Sequence, residues 1–213
     1  MARIAVIGGT GYAGGHIVKE AAGRGHTVVS VARKVPSERV EGVTYLEGSL
    51  LDPTGLLAEL QGVETIVIAV APRGDMAGQT RPAIGQLVAA LPADTRIGVI
   101  GGAGGSLVAE GGPRLIDAGE FPDDFKPEAR ELIGVLEDLE ASDGDVDWFF
   151  VHPAAGFGGF APGERTGSYR TGGDVLVTDA DGGSYISGED LAVAVVDEIE
   201  SPRHRRARFT VGY

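Results

Sequence analysis

An α/β fold, with a doubly wound, mostly parallel sheet and helices on both faces, is predicted by three observations. Short β-branched runs alternate with segments of helical periodicity, the pattern of repeated strand–helix–strand units. The runs near 3–8, 64–70 and 96–101 are almost wholly apolar, as in strands covered on both faces. The chain's 35 glycines cluster where such runs end, and open parallel sheets bind ligands outside the carboxyl ends of their strands.

The elements follow in order. A strand near 3–8 runs into Gly8-Gly9-Thr10-Gly11-Tyr12-Ala13-Gly14, with a helix starting near Tyr12. Strands are expected near 27–32 and 43–47, and Asp52-Pro53 has the form of a helix N-cap followed by proline at N1. After the strand near 64–70, Ile84, Leu87, Val88 and Leu91 repeat at i, i+3, i+4, i+7, as do Leu132, Ile133, Leu136 and Leu139 after the strand near 96–101. A strand near 147–152 precedes the segment 153–186, rich in Gly, Asp and Thr, which reads as short strands and a lid on the substrate side. Leu191, Val195 and Ile199 mark a last helix, with Ser187 and Asp190 spaced as a capping box, before a strand near 207–212. No internal repeat or linker is visible, so residues 1–213 read as a single domain.

Composition narrows the chemistry. The chain has no cysteine, which excludes disulfides, thiolate metal sites and cysteine nucleophiles and fits a cytoplasmic location. A formal net charge of −13 opposes nucleic acid and anionic membranes as partners. No apolar run has the length of a membrane span, and the start Met1-Ala2-Arg3-Ile4-Ala5-Val6-Ile7 reads as a buried strand rather than a signal peptide. No His or carboxylate spacing suggests a metal site. Any anionic ligand must be held by local groups against this overall charge.

The glycine loop supplies such groups. Gly8, Gly11 and Gly14 have GxxGxxG spacing between a strand and a helix. Gly8 would turn the chain, Gly11 would admit a diphosphate to the backbone, and Gly14 would let the helix pack on the sheet, with free amides and the helix dipole facing the anion. This Rossmann-type reading places Gly8, Gly9, Thr10, Gly11, Tyr12, Ala13 and Gly14 on a dinucleotide. The second strand ends at Arg33-Lys34, where an NAD site usually has an acid for the ribose hydroxyls. Lys34 is one of only three lysines. Two cations there suit a 2′-phosphate, so NADP(H) is preferred and NAD(H) allowed. Ser49 and Leu50 are expected beside the adenine, Ala69, Val70 and Ala71 beside ribose and diphosphate, and Gly101, Gly102, His152 and Pro153 near the nicotinamide. Four glycines in the five residues 101–105 exceed what packing alone requires, which favours ligand approach.

The catalytic residues are open at this level. His152 and Tyr169 are the candidates, though His152 reads better as a hydrogen-bonded strand-end histidine. Phe157 and Phe160 are either an apolar wall for an aromatic substrate or ordinary core contacts. Arg165 and Arg170 are either anchors for an anionic substrate or partners of nearby carboxylates. Trp148, His16 and His26 read as structural.

The loop GGTGYAGG, the segment Pro162-Gly163-Glu164-Arg165-Thr166-Gly167-Ser168-Tyr169-Arg170, the later Thr178-Asp179-Ala180-Asp181-Gly182 before Ile186-Ser187, and the ending Arg208-Phe209-Thr210-Val211-Gly212-Tyr213 resemble the atypical short-chain dehydrogenase/reductases. The branch most similar is that of the NADH-flavin reductases, related to the biliverdin-IXβ/flavin reductases, and the likeness spans nearly the whole chain. It implies a Rossmann fold, a nicotinamide cofactor and an NAD(P)H-dependent oxidoreductase that reduces flavin, as substrate rather than bound prosthetic group, or a similar flat aromatic or quinone-like acceptor. The chain departs from the pattern in lacking Tyr-x-x-x-Lys. Positions four beyond Tyr12, Tyr45, Tyr169 and Tyr185 hold His16, Ser49, Gly173 and Glu189. Gly102-Ala103 stands where the biliverdin-type enzymes carry a serine. Alcohol oxidation through tyrosine is therefore disfavoured, as is a nucleotide-sugar epimerase. Flavin reduction tolerates the loss, because reduced flavin can take its proton from solvent. The alternative is a non-catalytic NADP(H)-binding redox sensor. Either way the partner is a small molecule, and the chain is a monomer or homodimer.

Overall fold

In the computed structural model, which describes residues 1–119, 121–142 and 146–213, the apolar runs form one eight-stranded sheet. Its strands are β1 (Arg3–Ile7), β2 (Thr27–Ala32), β3 (Thr44–Glu47), β4 (Thr65–Ile68), β5 (Arg96–Ile100), β6 (Trp148–Pro153), β7 (Arg170–Thr171) and β8 (Ala207–Gly212). The order is β3-β2-β1-β4-β5-β6-β8-β7. All pairings are parallel except β7 on β8. Ile4 faces Val28 on one side and Thr65 on the other. The chain builds outward from β1 to β3, then returns to add β4 on the opposite side. That reversal opens a crevice at the carboxyl ends of β1 and β4.

Helices cover both faces, as the apolar strands require. On one side α2 (Pro53–Glu59), α3 (Thr80–Ala89) and α4 (Lys126–Glu140) pack Leu56, Ile84, Leu87, Leu132 and Leu136 against Ile7, Ile66, Val99 and Phe150. On the other, α1 (Tyr12–Gly23) and α5 (Gly188–Glu200) bring Ile17, Val18, Leu191 and Val195 onto Ile4, Val67, Phe149 and Phe209. The aromatic run of β6 is fully sequestered, each ring contributing roughly 1.5–3 kcal/mol by leaving water.

Several expectations are revised. β4 stops at Ile68, although Ala69 N–H still donates to Ile7 at 2.8 Å. Leu91 lies beyond the end of α3, because Pro92 follows and disfavours helical backbone at the residue before it. The Asp52 cap forms, its side chain accepting from Gly55 N–H. The capping box at α5 is only half made. Ser187 accepts from Asp190 N–H, but the Asp190 carboxylate is taken by Thr166, Gly167 and Tyr213. Ser187 N–H donates to the Tyr213 hydroxyl instead.

The segment 153–186 divides. Its start folds back toward α1, with Phe157 packed on Tyr12 at a ring separation of 5.3 Å and Tyr12 Oη donating to Pro162. Beyond that it runs along α5 through the Asp190 bonds and adds β7 to the sheet edge. The first part thereby neighbours the glycine loop. Arg165 pairs with Glu20 and Arg170 donates to the carbonyls of Thr178 and Tyr213. Trp148 is buried, and His26 joins Ala2 N–H to Glu200.

Candidate functional site

The site is built at the β1/β4 reversal. Gly8 takes φ +85°, a conformation that L side chains rarely adopt, and an added Cβ would stand 2.6 Å from the Ala69 carbonyl. Its amide and that of Gly9 both donate to Val31, which ties the turn to the end of β2. At Gly14 a Cβ would fall 2.2 Å from the Gly8 carbonyl, so the first turn of α1 lies directly on the loop. Gly9 sits over the buried Ser30 hydroxyl, which has no partner among the described residues. Gly11 is the N-cap and offers no side-chain acceptor. Among the described residues, the amides of Tyr12, Ala13 and Gly14 donate to no backbone carbonyl, and the first turn holds no acid. Three amides at the positive end of α1 are thus without backbone partners next to the exposed Thr10 and Gly11, an arrangement that suits an anion.

A cavity of about 260 Å³ runs across the strand ends. Gly8, Thr10 and Gly11 line it from β1, Arg33 from β2, Ser49 and Leu50 from β3, and Ala69, Val70 and Ala71 from β4. Four separate stretches of sequence, each expected to meet the same ligand, therefore share one cleft. Arg73 and Met76 also line it and were not foreseen. The available signal was Gly74, which adopts φ +58° between them. A second cavity of about 500 Å³ lies on the α1 flank of the loop, lined by Gly9, Tyr12, His16, Lys19 and Arg39 among others. His16 sits 5.1 Å from the Tyr12 ring, and burial lowers its pKa.

The cleft has cations at two places. Arg33 Nη1 donates to Asp75 at 3.0 Å. Lys34 is exposed and forms no ion pair among the described residues. Arg73 forks onto Glu128 in the first turn of α4, with bonds of 3.0 and 2.8 Å. Arg33 and Arg73 thus bring positive charge to the cleft that the glycine loop also lines.

At the far end the structure corrects the sequence reading. The glycines of 101–105 are largely explained by packing. A Cβ on Gly101 would enter the Phe150 ring at 2.1 Å, one on Gly105 would meet His152 Cε1 at 2.6 Å, and one on Gly104 would press Ala129 at 3.0 Å. Only Gly102 is open, its nearest neighbour Leu132 at 3.9 Å. His152 is 1% exposed. Its Nδ1 lies 2.8 Å from the Gly102 carbonyl, an acceptor only, so Nδ1 carries the proton. Nε2 is buried with no partner among the described residues. Burial pushes the pKa down to about 4, which makes the ring a neutral support for the Gly102 turn rather than a proton donor. Pro153 is buried as well. Tyr169 is not in the cleft: it packs on the α1/α5 side and donates to Asp197 at 2.6 Å. Burial, then that carboxylate, push its pKa up to about 12. Neither catalytic candidate lines either cavity.

Comparison with known proteins agrees with this architecture. Residues 8–202 match a family model described as NAD(P)H-binding. YwnB of Bacillus subtilis (strain 168) is 37% identical over 98% of this chain and 97% of its own. Among solved structures, SP1627 of Streptococcus pneumoniae TIGR4, provisionally named a NADH-flavin reductase, is 32% identical with a TM-score of 0.86, over 100% of this chain and 99% of that one. A Bacteroides thetaiotaomicron protein provisionally named an epimerase is 32% identical with a TM-score of 0.87, over 100% of this chain and 97% of that one. No helix among the described residues is long and apolar enough to cross a membrane.

Proposed function

The chain belongs to the NAD(P)H-binding family, and from that premise we propose that it is an NAD(P)H-dependent oxidoreductase that prefers NADPH and reduces a flavin or similar flat, quinone-like acceptor. The observation that carries the proposal is the cleft itself: Gly8, Thr10 and Gly11 of the glycine loop on one side and Arg33 on the other, beside the start of α1, whose first amides have no backbone acceptor among the described residues. When bound, the nicotinamide supplies a hydride to the acceptor. The rest is the work of this chain. The amides of Tyr12, Ala13 and Gly14 hold the diphosphate, and Arg33 and Lys34 meet the 2′-phosphate. Ser49 and Leu50 cover the adenine, while Ala69, Val70 and Ala71 let the backbone lie close to the ribose. His152 keeps its proton on Nδ1 and orients the Gly102 carbonyl.

The placement of the two candidate proton donors supports this acceptor class. With His152 buried and neutral and Tyr169 bonded to Asp197, neither delivers a proton to the cleft. Reduction of an acceptor that takes its proton from water needs neither. Epimerase chemistry would need a placed acid or base, which favours the reductase name among the relatives. The same placement also supports the second reading, a sensor that binds NADP(H) without turnover.

Steady-state assays separate the two. NADPH consumption in the presence of FMN, riboflavin or a small quinone is the expected result, with slower consumption of NADH. Tight NADPH binding by calorimetry with no consumption across all three acceptors would establish the sensor instead.

A further inference from the structure

Arg33 does not stand alone at the rim of the cleft, and its partner is a residue to which no role has yet been given. We propose that Asp75 sets how strongly the site prefers NADPH over NADH, as the counter-ion that a 2′-phosphate must displace from Arg33. The inference rests on the nucleotide reading above and deepens it.

Placement comes first. Asp75 lies in the one-turn 3-10 segment Gly74–Met76. Met76 is buried in the core beneath α3 and lines the same cavity as Arg33. Gly74 takes φ +58°, and Met76 N–H closes the turn on the Arg73 carbonyl. Asp75 is therefore held between an anchored methionine and a turn only glycine makes easily. From there its Oδ2 reaches Arg33 Nη1 across the strand ends, at 3.0 Å.

The second point is ease of exchange. The two side chains are 67% and 82% exposed and share a single hydrogen bond. Such pairs shift an equilibrium by about fivefold or less. A phosphate offers the guanidinium a two-pronged contact and more charge, so it displaces Asp75. The neighbouring Arg73 differs: two bonds hold it, to a Glu128 side chain only 23% exposed. Of the two arginines lining the cleft, Arg33 is the one whose partner can be exchanged. NADH has only a hydroxyl at this position and leaves the pair intact. Asp75 therefore weakens NADPH selectively.

The test is calorimetric titration of the full chain with NADPH and with NADH, for the wild type, Asp75→Asn, Arg33→Ala and the double variant. Asp75→Asn should raise the NADPH-over-NADH affinity ratio by about two- to fivefold. The gain should shrink at high salt and vanish in the Arg33→Ala background, while Asp75→Glu should restore the wild-type ratio. An equal change for both nucleotides, or a gain that persists without Arg33, overturns the role of Asp75 while leaving the nucleotide site standing. A wild-type chain that binds neither nucleotide overturns the underlying reading and this inference with it.

Discussion

The loop 8–14 and the strap 101–105 are both dense in glycine, both follow a strand that is apolar after its first residue, and both lie at the carboxyl edge of the sheet. Their glycines nevertheless serve different ends. In the first, Gly14 nests against Gly8 and Gly8 against Ala69, which brings the start of α1 onto the loop, its first amides without backbone acceptors among the described residues. In the second, Gly101, Gly104 and Gly105 make room for Phe150, Ala129 and His152, and the space saved is filled from inside the protein. At Gly8 and Gly14 the missing Cβ lets backbone meet backbone, whereas at Gly101, Gly104 and Gly105 it admits side chains.

Three substitutions or conditions bear on this contrast. The largest effect is expected at Gly14. An alanine there would place its Cβ 2.2 Å from the Gly8 carbonyl, a backbone contact that cannot rotate away, so the loop and α1 must separate. Destabilisation of about 3 kcal/mol and at least a tenfold loss of NADPH affinity should follow, read by thermal unfolding and calorimetry. If Gly14→Ala bound NADPH normally, the two regions would not differ as described.

Next in size is the acid response of the strap. The His152 pKa is held at about 4, below its ordinary 6.5, so the unfolded chain takes up the proton first as the pH falls. This group's stability contribution is complete above about pH 6.5, is lost between there and about pH 4, and changes no further once both states are protonated. The loss is on the order of 3 kcal/mol, measurable by urea unfolding across that window. His16, also lowered by burial, acts in the same direction, so the slope that disappears in His152→Gln is the share due to the strap. An unchanged slope would show that His152 does not hold it.

The smallest effect belongs to Gly102, the one strap position with space. Gly102→Ala should change stability by no more than about 0.5 kcal/mol. Gly101→Ala, with Phe150 in its way, should cost about 1–3 kcal/mol. Equal costs at the two positions would remove the packing explanation.

Much of this was legible along the chain. Strand and helix periodicities located every parallel strand, and GxxGxxG between a strand and a helix marked the loop. The stretches at Arg33, Ser49–Leu50 and Ala69–Ala71 were each recognisable from where their strands end, and the fold brings all of them to one cavity. The misreadings have a common cause. The glycines of 101–105 suggested ligand approach because nothing local shows that Phe150, Ala129 and His152 fill the space beside Gly101, Gly104 and Gly105. Tyr169 looked available because nothing local reveals that Asp197, 28 positions on, takes its hydroxyl.

The linear order of residues determined the alternation of strands and helices, the turn at Gly8 and the cation at the end of β2, because each depends on neighbours within a few positions. Folding decided the rest: that His152 faces Gly102 from 50 positions away, that Arg33 meets Asp75 from 42, and that the glycines after β5 accommodate rings. Burial and charge pairing are properties of enclosed space, and the side chains that enclose a group come from strands and helices far from it along the chain.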